Sequence, residues 1–174
     1  QAACGFCSSR RYGQFVLKSL NLSPSVLMLS AEEVAELVLK AYNNAGGEKP
    51  GSIIFQDDDF VVGGKNGMAR FEKLCDLMEE HFKKGELPDS LYFTMKTKIR
   101  HFAADPKYSP FSGGGKEAMR RIKRAGFKVL ALGVESFSDE LLDSPSINKH
   151  VTAEVNTQVV RDALETGVIP FVFY

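Results

Sequence analysis

The chain alternates between two hydrophobic rhythms, one of helical period and one of short, nearly unbroken apolar runs. Ser30 followed by Glu33 has the form of a capping box, and Val34, Leu37, Val38 and Ala41 then fall on one helical face. Gly46, Gly47 and Pro50 stop that helix, and Ser52 to Gln56 form a strand that runs into Asp57, Asp58 and Asp59. A second helix carries Met68, Phe71, Leu74, Cys75, Met78 and Phe82 on one stripe and stops at Gly85, with a strand predicted over Leu91 to Met95. Ala118, Met119, Ile122 and Ala125 give a third stripe, Gly126 stands where a C-terminal cap belongs, and Phe127 to Val134 read as a buried strand. Thr152 caps a fourth helix bearing Val155, Val159, Val160, Ala163 and Leu164; Gly167 ends it, and Val168 to Phe173 form the last strand.

Strands recur at intervals of roughly 40 residues, the spacing of a β/α unit. Helices alternating with apolar strands predict an α/β fold with a parallel sheet covered by helices. Periodicity leaves open whether the units wind into a barrel or an open sheet. The polar residues add a functional hint. Asp57, Asp58 and Asp59 follow the first strand, Lys96 and Lys98 the second, and Glu135 and Ser136 the third. Ligand sites of parallel α/β proteins gather at the carboxyl ends of the strands, so three successive strands deliver charge to one rim.

Composition narrows the picture by exclusion. At 174 residues and 44% hydrophobic the chain can bury one ordinary core. Lysine plus arginine equal aspartate plus glutamate at 22 each, so no net field draws nucleic acid or acidic lipid. Nowhere does an apolar run approach the ~20 residues of a membrane-spanning helix. Three cysteines, two of them at one end, make no disulfide framework and fit a reducing, cytoplasmic setting. The chain opens on Gln1 inside a cysteine cluster and closes on the uncapped apolar run Ile169 to Tyr174, which is expected of a piece of a longer protein.

The cysteine cluster is Cys4-Gly5-Phe6-Cys7. A C-x-x-C pair serves as half of a zinc site, as a redox dithiol, or as part of an iron–sulfur motif. Zinc would call for a second pair, and the third cysteine, Cys75, lies alone in a helical apolar stripe where a buried core thiol is expected. A redox dithiol would open a helix directly after a strand, whereas here a loop runs on from Ser8 to Gly13. His81, His101 and His150 are scattered and are expected at the surface or in loops. Gly113-Gly114-Gly115-Lys116 lacks the spacing and ending of a phosphate loop and is expected to lead flexibly into a helix, whose polar face holds Arg120, Arg121, Lys123 and Arg124.

Taken together these stretches resemble the radical S-adenosylmethionine (SAM) enzymes. That family holds a 4Fe–4S cluster with the pattern C-x-x-x-C-x-aromatic-C, and Cys4, Phe6 and Cys7 match its last four positions. Ile54-Phe55-Gln56-Asp57-Asp58-Asp59-Phe60 is similar to a strand ending in a double aspartate and an aromatic, found in members with a cobalamin-binding domain in front. Leu132-Gly133-Val134-Glu135-Ser136, with Ser138, Asp139 and Leu142 after it, looks like the family's strand end and following short helix.

The resemblance implies a fold and a chemistry. The fold is an incomplete (β/α) barrel in which residues 1–174 supply the second to fifth strands of the core domain. Cys4 and Cys7 would be two of three cluster ligands, leaving one iron open to SAM. Phe6 would lie against the adenine; Asp57 and Asp58 would make contacts at the rim where the amino group is reached; Gly133 would let the backbone come close to a ligand, and Glu135, with Ser136 beside it, would bond the ribose or amino group, the alternative for Glu135 being a strand-end carboxylate paired to a lysine. For Asp59 a solvated, helix-capping role is expected instead. The reaction implied is reductive cleavage of SAM to methionine and a 5′-deoxyadenosyl radical, acting on a small-molecule substrate, with an electron donor such as flavodoxin or ferredoxin. The double aspartate points to cobalamin bound by an upstream domain, as in methyltransferases and anaerobic cyclases. A methylthiotransferase acting on RNA or protein, and a non-catalytic α/β binding module with a structural C-x-x-C, are the alternatives.

Overall fold

The computed structural model describes residues 28–57, 59–61, 64–109 and 111–173. Cys4, Phe6, Cys7 and Asp58 lie outside the described residues. The elements alternate as the hydrophobic rhythm requires: α1 (Ala31–Asn43), β1 (Ser52–Phe55), α2 (Gly64–Lys83), β2 (Tyr92–Lys98), α3 (Gly115–Arg124), β3 (Phe127–Gly133), a one-turn α4 (Asp139–Leu142), α5 (Ala153–Thr166) and β4 (Ile169–Phe173). A 3-10 turn, Ile99–Phe102, follows β2 directly.

Local chemistry sets the helix starts. Ser30 Oγ accepts from the Glu33 N–H at 3.1 Å, and the Ser30 N–H donates to Glu33 Oε2 at 2.7 Å, closing the capping box of α1. Thr152 Oγ1 accepts from the Val155 N–H at 3.2 Å at the start of α5. Gly126 has a φ of +89°, and a Cβ there would come within 2.6 Å of the Phe82 ring and 2.9 Å of Phe93. That glycine lets the α3–β3 corner close onto the aromatic core.

All four strands are parallel and lie in the order β1-β2-β3-β4. Every connection therefore steps in the same direction across the sheet, which is the winding of a barrel; a doubly wound sheet would reverse. The helices cover one face. Phe127 lies at its centre, with ring centroids 5.3 Å from Phe71, 5.3 Å from Phe93 and 5.7 Å from Phe55. Truncating a buried aromatic so placed costs about 3–5 kcal/mol.

Among the described residues nothing covers the other face. Register joins Ile54, Thr94, Val129 and Ile169 in one row, Lys96, Ala131 and Phe171 in the next, and Lys98, Gly133 and Phe173 in the last. Ile54, Ile169 and Phe171 are 55–61% exposed, as befits residues a closed barrel would turn inward.

Three features differ from the sequence reading. β2 runs through Lys98 instead of stopping at Met95, so Lys96 and Lys98 are strand residues rather than loop residues. The alternation simply continues, with Phe93, Met95 and Thr97 buried and the lysines on the open side. Leu37 and Leu164 are exposed at 51% and 61%, at the margins of their helical stripes. The Gly113–Lys116 stretch leads into α3, but Gly114 and Gly115 pack against Ala103 and Ala104.

Candidate functional site

In parallel strands the carboxyl ends share one rim, and two clusters of polar side chains stand on it. The first gathers at the ends of β1 and β2. Asp57 is exposed, whereas Asp59 is largely covered, with its side chain 13% exposed. Lys98 Nζ lies 2.8 Å from Asp59 Oδ2, Thr97 Oγ1 donates to Asp59 Oδ1 at 3.3 Å, and His101 Nε2 is 3.4 Å from the same oxygen. Burial works to raise the Asp59 pKa, but the bonds from His101 and Lys98 outweigh it and hold the carboxyl well below the usual carboxylate range.

Asp59 is therefore no solvated helix cap. It ties the end of β1 to the end of β2, 38 to 42 residues away. His101 is likewise no surface residue: it is 6% exposed in the 3-10 turn beyond β2. His81 is also paired, through Nδ1 to Glu86 Oε2. Beside β1 a cleft of about 340 Å³ opens between the apolar side chains of α1 and the polar group Asp57, Asp59 and Arg70. Arg70 fixes the cleft wall by donating to the backbone oxygens of Leu29 at 3.1 Å and Phe60 at 3.0 Å.

The second cluster stands at the end of β3. Gly133, Glu135 and Ser136, singled out by sequence, come together there. A Cβ on Gly133 would sit 3.0 Å from Glu135 Oε1 and 3.1 Å from Lys149 Nζ, so the glycine makes room for an ion pair above it. That pair is Lys149 Nζ to Glu135 Oε1 at 2.9 Å, with side chains only 9% and 17% exposed. Glu135 has a φ of +64°, a left-handed conformation that a non-glycine residue adopts at a cost. Its N–H donates to Phe173 O on β4 at 2.9 Å. Ser136 is buried, and its Oγ accepts from the Ser138 N–H at 3.0 Å, which starts the turn into α4.

Two participants escaped the sequence reading. Asn156 of α5 is completely buried and donates from Nδ2 to Val134 O at 3.2 Å and Ser136 O at 2.8 Å, on either side of Glu135. The signal was present: Asn156 is a polar residue on the stripe that continues through Val159 and Ala163. Lys149, lying in a loop, gave no signal of its own, but its ion pair with Glu135 is the lysine-paired strand end that the sequence left open as the alternative to a ligand contact. Cys75 is buried in α2, where desolvation pushes its thiol pKa up and disfavours the thiolate.

The open face, the sequential parallel strands and the charged carboxyl rim can be compared with known proteins. No protein-family model matches the chain, and no curated protein matches it by sequence. Solved structures do match. The cobalamin-dependent S-adenosylmethionine radical enzyme OxsB with aqua-cobalamin bound superposes with a TM-score of 0.64, at 19% identity, over 83% of this chain. The chain shares the fold of the matched part of OxsB, a partial β/α barrel. OxsB with both aqua-cobalamin and S-adenosylmethionine bound gives 0.60 at 22% identity, and the apo, selenomethionine-labelled enzyme gives 0.63 at 20%, each over 83% of this chain. In all three the match covers 19% of OxsB, so the chain spans about a fifth of the neighbour's length.

Proposed function

We propose that the chain is part of the core domain of a radical SAM enzyme and that its four strands are the second to fifth of the barrel. The observation that carries this reading is the end of β3, where Gly133 clears space for the Glu135 carboxylate and its Lys149 partner and the Glu135 backbone is left-handed. The shared fold with OxsB supports it, as does the match of Cys4-Gly5-Phe6-Cys7 to the cluster motif.

The residues present suit the cofactors. Among the described residues no three metal-ligating side chains gather, and Cys75 is buried as a thiol. Cys4 and Cys7 are the cysteines left to hold a 4Fe–4S cluster, with a third thiolate from outside this chain. When bound, the cluster supplies the single electron that cleaves SAM into methionine and a 5′-deoxyadenosyl radical. The chain's own groups bind and orient. Phe6 would pack on the adenine, Asp57 and Asp58 would take the amino group, and Glu135, with Gly133 and Ser136 beside it, would accept a hydrogen bond from the ribose or amino group. Charge-assisted bonds of this kind gain strength where water is excluded. The likeness to a cobalamin-dependent enzyme and the double aspartate favour the branch with a cobalamin-binding domain upstream. A small-molecule substrate, a flavodoxin or ferredoxin donor and a cytoplasmic setting complete the proposal.

The experiment is anaerobic reconstitution of the full-length protein with iron and sulfide. Broad visible absorption of a 4Fe–4S centre is expected, abolished by Cys4→Ala or Cys7→Ala and retained in Cys75→Ala. Loss of the absorption only on changing Cys75 would overturn the ligand assignment.

A further inference from the structure

Asn156 occupies a core position of α5 that a merely space-filling side chain would leave apolar, because a buried amide is costly unless its hydrogen bonds are made. Its amide contributes donors and nothing else. Nδ2 bonds the carbonyls of Val134 and Ser136, while Oδ1 has no partner among the described residues. Reversing the amide would set Oδ1 against the same two carbonyl oxygens, so its orientation is determined. Those carbonyls flank Glu135, the residue whose φ is +64°. With the peptides on both sides held from α5 and its own N–H held by Phe173 O, Glu135 cannot relax to an ordinary conformation without breaking one of these bonds. Relaxation would swing its carboxylate away from Gly133 and Lys149.

We propose that Asn156 is a positioning residue: it holds Glu135 in the left-handed conformation and so sets the affinity for the hydroxyl or ammonium group that this carboxylate takes. The inference rests on the reading of Glu135 as a SAM-binding carboxylate. Its distinctive consequence is that Asn156 acts on SAM binding chiefly through Glu135.

SAM affinity of the reconstituted full-length protein, measured by anaerobic calorimetry, tests it. Asn156→Asp keeps the shape but turns both donors into a carboxylate facing two carbonyls; Asn156→Ser is a milder variant that keeps one donor, should the first not fold. Either is expected to weaken SAM binding by about tenfold or more while the cluster absorption stays intact. The same change in a Glu135→Ala background is expected to alter affinity less than about twofold, because the group being positioned is gone. Equal losses in both backgrounds would overturn the proposal, since general damage to the fold would add. If Glu135→Ala weakens binding but both Asn156 variants leave it unchanged, the positioning role alone fails. If Glu135→Ala itself leaves affinity unchanged, the reading of Glu135 fails first.

Discussion

Replacing Glu135 by glycine and, separately, by alanine separates the backbone cost of the site from its binding role. Both changes delete the carboxylate and leave Lys149, only 9% exposed at its side chain, without its partner. That loss is common to the two variants and cancels in their difference. What remains is the backbone at φ +64°. Alanine pays about 1–2 kcal/mol there that glycine does not. Glycine gives back about 0.4–1 kcal/mol through the greater freedom of its unfolded chain. The net expectation is that Glu135→Gly is more stable than Glu135→Ala by roughly 0.5–1 kcal/mol, the reverse of the order found at an ordinary position. Chemical unfolding of the two full-length variants side by side reads the difference. SAM affinity should fall alike in both, by about ten- to a hundredfold, for a lost bond to a charged group worth roughly 1.5–3 kcal/mol. Alanine equal to or more stable than glycine would refute the claim that the site stores backbone strain.

Asp59 supplies an acid-sensitive contribution. Its pKa is depressed in the folded protein, so the stabilisation is present above the unfolded value of about 3.9 and is lost as pH falls below it. Asp59→Asn should destabilise by roughly 1–3 kcal/mol at neutral pH and flatten the fall in stability below about pH 4; an unchanged acid limb would contradict the cluster. The open face predicts that residues 1–174 alone will self-associate, because Ile54, Ile169, Phe171 and Phe173 are exposed beside an edge of β4 that pairs with no strand among the described residues. A clean monomer on size-exclusion chromatography would contradict that.

Much of the fold was legible because its determinants are local. The Ser30–Glu33 box and the Thr152 cap lie within a few residues and appear where expected, and the four apolar stripes do so apart from the exposed Leu37, Ala41 and Leu164. The end of β2 was misread because Lys96-Thr97-Lys98 looks polar in sequence; only its pairing with Ala131 to Gly133 makes it strand. At the site, Gly133, Glu135 and Ser136 were legible as a contiguous strand end. Their supports were not, since Lys149 reaches Glu135 across 14 residues and Asn156 reaches Ser136 and Val134 across 20 and 22. The contacts from Asp59 to Thr97 and His101 are longer still, and no local pattern predicts which carboxylate a buried imidazole will meet.

Formation of 5′-deoxyadenosine by the full-length protein, incubated anaerobically with SAM and a one-electron reductant, tests the central claim most directly. The account predicts 5′-deoxyadenosine and methionine in equal amounts, dependent on reductant and absent from Cys4→Ala and Cys7→Ala. Product that persists in either cysteine variant, or none from wild-type protein carrying a full 4Fe–4S cluster, would contradict it.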